Sequence, residues 1–179
     1  MTVWIALLAA VNVGGRKVVM SELKAMAGEM GLENPRTLLA SGNLVFRAPG
    51  PAAEVEAKLE MALKDRFGFD CPVMLRSAAE LDEAIAGNPF PDAARDNPSY
   101  FVLGALKHAV SAEALERLRA VITGREAVER RGRDLYFIFP DGQGKSDLTP
   151  ALIWKALGAR TTGRNWNTVL KLQAMARET

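Results

Sequence analysis

The sequence predicts an α+β fold in which the element order β-α-β-β-α-β occurs twice, followed by an added C-terminal helix. Three observations lead there. Short apolar runs alternate with segments of helical period throughout the 179 residues. The order read in residues 1–76 returns after residue 100. Between the two copies lies a stretch without periodicity that carries Pro89, Pro91 and Pro98. A unit of this order is ferredoxin-like. The halves share little sequence, so the repeat rests on element order. The division it implies is a first half with a short extra helix (1–86), a proline-rich connection (87–99) and a second half with the C-terminal helix (100–179).

Residues 3–10 form a continuous apolar run, as a central strand does, and Gly14-Gly15 break it. A helix follows over 20–30, with Leu23, Met26, Ala27 and Met30 on one face and Gly31 as its stop. Strands at 36–40 and 44–47 flank Ser41-Gly42-Asn43. Gly42-Asn43 suits a two-residue hairpin turn, with a single bent strand as the competing reading. A helix over 52–67 buries Val55, Leu59, Leu63 and Phe67, and a fourth strand covers 72–76. Ser77 and Glu80 have capping-box spacing for a short helix through Ile85. The second half begins with a strand at 100–106. Ser111 then caps a helix carrying Leu115, Leu118, Val121 and Ile122. Strands at 126–130 and 135–139 pair through Arg131-Gly132-Arg133-Asp134. Thr149 and Pro150 open a helix that stops at Gly158, which leaves a last strand around 160–163 before the final helix. The right-handed crossover places the loop after the first strand and the turn after the second at the same sheet end, so residues 12–17 and 41–43 should be neighbours.

Composition excludes several function classes. A net charge of +2 gives no global case for a nucleic-acid or membrane partner, although residues 145–179 hold six basic residues against two acids. The single cysteine, Cys71, excludes an internal disulfide and fits a reducing, cytoplasmic setting. The apolar start lacks a basic n-region and is read as a buried strand rather than a signal peptide, and no apolar run approaches the ~20 residues that span a membrane. One Cys and one His cannot furnish a zinc site, and Cys71 reads as a small buried hydrophobe.

Three clusters stand out: Asn12-Val13-Gly14-Gly15, Ser41-Gly42-Asn43, and Arg164-Asn165-Trp166-Asn167-Thr168-Val169. Together they resemble a bacterial family known as domain of unknown function 1697, whose members open with a strand ending RGINVGG, carry an SGN turn and finish near TxRNWNTV. The resemblance covers nearly the whole chain and implies the duplicated ferredoxin-like fold; it implies no activity. This chain departs from the pattern where the family's opening Arg and Gly fall on Ala9 and Ala10, and where the Gln before SGN falls on Ala40.

Asn12, Gly14, Gly15, Arg16 and Lys17 compose a candidate anion site, in which glycines expose backbone N–H groups ahead of a helix start. The alternative is a sharp turn whose Asn12 caps local backbone. Ser41 and Asn43 belong with this site by the crossover argument. Turn chemistry explains both, and Ser41 lacks a base, because the only histidine, His108, is in the other half. The loop 141–146 lies between a strand and a helix, as a phosphate loop does, but Phe139 occupies the place of its first glycine. Trp166 should anchor the last helix, sharing a face with Val169, Leu170 and Gln173, and Asn165 or Thr162 should cap it. Arg164 either binds an anion bidentately or bridges structurally to an acid.

These residues favour a non-enzymatic binding module for a small anionic ligand, with no catalytic residue, metal or cofactor assigned. The alternatives are nucleic-acid binding through the basic C-terminal part, an enzyme of unknown chemistry, or a structural protein. The aromatic pattern of RNA-recognition sheets is only partly met by Tyr136, Phe137 and Phe139.

Overall fold

The computed structural model describes residues 1–179. Its elements, in chain order, are β1 (Thr2–Leu8), α1 (Met20–Glu29), β2 (Glu33–Leu38), β3 (Asn43–Ala48), α2 (Ala52–Phe67), β4 (Val73–Ser77), α3 (Ala78–Ala86), α4 (Pro91–Asp96), β5 (Phe101–Leu106), α5 (Ala112–Ala120), β6 (Ala127–Arg131), β7 (Asp134–Ile138), α6 (Pro150–Leu157), β8 (Thr161–Asn165) and α7 (Trp166–Arg177). They build two four-stranded sheets, ordered β2-β3-β1-β4 and β6-β7-β5-β8, in which every neighbouring pair is antiparallel. This is the duplicated β-α-β-β-α-β arrangement. Two compact units result: residues 1–83 with 171–179, and residues 84–170. No helix is long and apolar enough to cross a membrane.

In the first unit β1 is a middle strand, and the register Ala6↔Leu44 and Ala6↔Leu75 ties it to β3 and β4. One face supplies Trp4, Ala6 and Leu8, which share a core with Leu44 and Phe46 of β3, Val73 and Leu75 of β4, Leu23 and Met26 of α1, and Val55, Leu59 and Leu63 of α2. Ile5 and Leu7, on the other face, are equally buried. Burial of both faces is why this strand reads as one continuous apolar run. Helix α2 ends at Gly68, whose φ of 82° supplies the left-handed C-cap. The second unit repeats the plan, with β5 buried along its whole length and a core of Val102, Leu106, Leu115, Leu118, Leu135, Phe137, Ile153 and Leu157. Ser111 and Thr149 cap α5 and α6, accepting from Ala114 N and Leu152 N.

The helix after the last strand is not peculiar to the C-terminus. Helix α3 follows β4 without a loop, as α7 follows β8. Ser77 Oγ accepts from Glu80 N at 3.1 Å while Glu80 returns a carboxylate to Ser77 N at 2.8 Å, a complete capping box. Asn165 Oδ1 accepts from Thr168 N at 3.0 Å in the corresponding place. The residue before each cap is a buried arginine in the same register, Arg76 opposite Ile5 and Arg164 opposite Leu103.

Four details correct the sequence reading. The hairpin between β2 and β3 is not a two-residue Gly42-Asn43 turn: Leu38 pairs with Asn43, so residues 39–42 form the loop. Asn43 is fully buried and opens β3, its amide Nδ2 donating to Leu38 O at 2.7 Å and Ser41 Oγ at 3.0 Å. Strand β2 begins before Pro35, which an edge strand tolerates, at a register shift between Glu33 and Arg36. The proline-rich stretch contains α4, six residues and so too short to show a period, with Pro91 in its first turn. Helix α7 buries Trp166, Val169, Leu172 and Ala176, whereas Leu170 is exposed.

Gly42 has φ 88°, and a Cβ there would meet Val11 Cγ2 at 2.7 Å and Leu8 Cβ at 2.9 Å. Gly14 has φ 56° but open space around it. Gly42→Ala should therefore lower stability by about 2–4 kcal/mol, from strain plus overpacking. Gly14→Ala should cost about 1–2 kcal/mol, from strain alone. Denaturant melts of the two variants check the ranking, and equal losses would contradict it.

Candidate functional site

The loop after β1 and the hairpin after β2 meet at one end of the first sheet, as the crossover argument requires. Leu8 N donates to Gly42 O at 2.9 Å, and Asn12 Nδ2 donates to Ala40 O at 2.6 Å. Asn12, with φ 56°, is the clamp. Its amide also makes a two-point contact with one residue, Nδ2 donating to Val18 O at 3.0 Å and Oδ1 accepting from Val18 N at 3.0 Å. That geometry needs a donor and an acceptor on one short planar group, and asparagine supplies both. The loop is closed further by Asn12 N donating to Arg16 O at 2.6 Å and Arg16 N to Val13 O at 3.1 Å.

Arg16 lies inward of the turn. Its Nε donates to Ala10 O at 3.0 Å, its Nη2 donates to Asp70 O, and its guanidinium carbon is 4.6 Å from the centre of the Phe69 ring. Lys17 and the backbone of Gly14 and Gly15 face solvent. Ala10 has φ 55° and so carries a strain that glycine would not. Ser41 sits in the hairpin loop beside Asn43. No three His, Cys, Asp or Glu side chains converge as metal ligands would.

Arg164 and Asn165 belong to the second unit. Arg164 is 6% exposed, and its Nη1 donates to Thr162 Oγ1 at 2.8 Å and Gly163 O at 2.9 Å, both on its own strand. Asn165 is the N-cap of α7. Trp166 is buried with its ring 5.1 Å from that of Phe101, which also neighbours Phe90 and Tyr136. The Tyr136 hydroxyl donates to Ala84 O at 2.6 Å. Asn167, by contrast, is exposed and donates to Ser99 Oγ at 3.2 Å. It lines an open groove of about 420 Å³ with Trp166, Leu170, Ile85 and Pro91. The groove's cation, Arg95, is already engaged by Asp96 at 2.9 Å and Asp92 at 3.2 Å.

The sequence reading passes over this groove, because it rests on α4 and its preceding Asn88, whose Oδ1 accepts from Phe90 N. It also passes over a cluster of cations at Lys107, Arg130, Arg131 and Arg133. The signal, three arginines in four residues, is plain in the sequence but lies outside the 145–179 span.

Asn12→Asp keeps the shape and removes the donors to Val18 O and Ala40 O, so it should cost about 1–3 kcal/mol, measurable by thermal or denaturant melts. Burial pushes the Tyr136 hydroxyl from 10.0 up to about 12, with the nearby Asp134 charge adding to it. The folded protein thus favours the neutral phenol. That contribution is fully present below pH 10 and is lost as pH rises toward 12, about 2–3 kcal/mol in all. Tyr136→Phe should flatten the alkaline limb of the stability curve while costing about 1 kcal/mol at neutral pH.

Among curated proteins, none matches this chain. The structure is similar to that of the conserved bacterial protein SP0830 from Streptococcus pneumoniae, at 22% identity and a TM-score of 0.77 over 99% of each chain. At that identity the likeness establishes the fold alone. The family model described as "Protein of unknown function (DUF1697)" matches residues 1–136, about three quarters of the chain, and the chain belongs to that family.

Proposed function

We propose that the protein is a non-enzymatic, cytoplasmic binding module for a small anionic ligand, held where the glycine turn at residues 13–17 meets the start of α1. The observation that carries this reading is the uncapped helix. Val19 stands at the N-cap of α1 and offers no side-chain acceptor, so the amides of the first turn face outward without a partner from a cap. Lys17 lies two residues before that cap, and the exposed backbone of Gly14 and Gly15 adjoins it. A helix N-terminus with a neighbouring cation favours a carboxylate or phosphate group. The Asn12 grip on Val18 holds the approach rigid before the ligand arrives, which lowers the ordering cost of binding. Glu22, in the first turn of α1, opposes a second negative charge and so favours small, singly charged groups.

The test uses inorganic phosphate, sulfate and acetate as probes. The expected result is a concentration-dependent rise in Tm and amide shifts confined to Gly14, Gly15 and the first turn of α1. Lys17→Met should weaken the response and Glu22→Gln should strengthen it. A flat thermal response with unmoved amides in that region would reject the site.

A further inference from the structure

We propose that residues 107–110, together with the β6–β7 hairpin at residues 130–133, form a nucleic-acid-binding surface that grips the phosphate backbone without reading bases. The surface lies wholly within the second unit and is separate from the anion site in the first.

The hairpin is closed tightly. Arg131 pairs with Asp134, leaving Gly132 and Arg133 as the turn, with Gly132 at φ 58°. Three hydrogen bonds tie the segment after β5 to it: Leu106 N to Arg133 O at 2.9 Å, Arg133 Nη1 to Lys107 O at 3.2 Å, and Arg130 Nη1 to Val110 O at 2.9 Å. Lys107, Arg130, Arg131 and Arg133 are thereby brought together, beside the exposed His108. Neither segment carries an acid; Asp134 follows the hairpin tip directly, and Glu129 before it is held by Arg119 at 3.0 Å. Arg131 projects to solvent. Arg130 makes a single side-chain hydrogen bond, and its Nε is buried without any partner. A guanidinium with an unused donor has hydrogen bonds to gain by turning toward a phosphate, which it can meet bidentately.

Cations spread over a hairpin tip and the adjoining segment match a repeating charge better than a single one. The aromatic residues of β7, Tyr136 and Phe137, are buried, so no platform is offered for stacking bases. The exposed large apolar side chains of the protein all lie elsewhere, so the surface lacks the apolar anchor of a membrane-binding face. The phosphodiester backbone is the polyanion that fits.

The experiment measures anisotropy of labelled single-stranded and duplex oligonucleotides of unrelated sequence across a salt series. The expected result is sequence-independent binding that weakens with salt, log K against log salt falling with a slope of about −2 for three neutralised phosphates of a single strand. Arg131→Met, Lys107→Met and Arg130→Met should each weaken binding several-fold and make the slope shallower by about one. Circular dichroism shows that the variants are folded; Arg131→Met, at an exposed position, decides the case if either of the others is not. Lys17→Met should leave oligonucleotide binding unchanged, so failure of the anion site and failure of this surface are distinguishable. No binding at low salt overturns the proposal. So does binding that Arg131→Met leaves intact, or equal binding to phosphatidylserine vesicles that the same variants abolish.

Discussion

Pairing of β1 along both of its edges is the constraint from which the first unit's loop end follows. With β3 on one side and β4 on the other, the strand has no free backbone edge, and with both faces buried it has no free side-chain face. The chain can therefore leave only at its end, and it must reverse over one face to reach β2 on the far side of β3. Both the exit from β1 and the exit from β2 are forced to the same place. The Asn12 amide then converts proximity into a fixed distance by holding Val18 and Ala40 at once. A buried Asn43 does the same service for the hairpin, satisfying Leu38 O and Ser41 Oγ from inside the sheet. Apart from the Asn43–Ser41 contact, the polar side chains there bear on backbone, which fits a loop pair whose carbonyls would otherwise lose water without replacement.

The duplication reaches further than strand order. Each half ends its sheet with a strand carrying an arginine inward, then a capping residue, then a helix with no intervening loop. The cap is itself the last strand residue, Ser77 in β4 and Asn165 in β8, so strand passes into helix with no residue between them. An arginine just before that cap can reach carbonyls of its own strand, as Arg76 does to Leu75 O at 3.0 Å and Arg164 to Gly163 O. What differs between the halves lies at the opposite end of those strands. The first half has an extended, glycine-bearing loop after its first strand. The second half has a short segment at residues 107–111 and a hairpin rich in arginine. The shared framework and the divergent loops obey different demands, packing in one case and surface chemistry in the other.

Elements with strong period or paired end signals were legible in the sequence. Helix α2 has four apolar positions on one face and a glycine stop, and its limits are those the sequence implies. Helix α6 has Thr149, Pro150 and Gly158, three local signals that agree. Legibility fails where a residue's role is set by a distant partner. Asn43 looks like a turn residue because Asn usually is one, and only its burial beneath the strand pairing shows it to be the first residue of β3. Leu170 sits at helical spacing from Trp166, yet it is exposed and the buried stripe runs through Val169, Leu172 and Ala176. The sequence gathers Asn12, Arg16 and Lys17 into a candidate site without showing their division of labour. Asn12 and Arg16 are fastened to backbone, and Lys17 is the exposed charge.

Backbone strain bears on why that end of the first unit is more than a convenient turn. Of the four non-glycine residues with positive φ, Ala10, Asn12 and Leu39 lie in the two loops that meet there, at 55°, 56° and 59°. Each such residue costs of order 1 kcal/mol or more, and it persists only where surrounding contacts fix it. Asn12 is fixed by its amide, and Ala10 by the Arg16 guanidinium on its carbonyl. Leu39 is half exposed and apolar, so packing does not explain it. Its conformation follows from the four-residue loop that brings Ala40 O to the Asn12 amide. A simple reversal could be made with glycine or with a longer loop at lower cost. The strain is gathered at one end and held there by dedicated hydrogen bonds, beside a helix start without a side-chain cap and an exposed lysine. The proposed anion site would thus rest on backbone whose shape is fixed in advance.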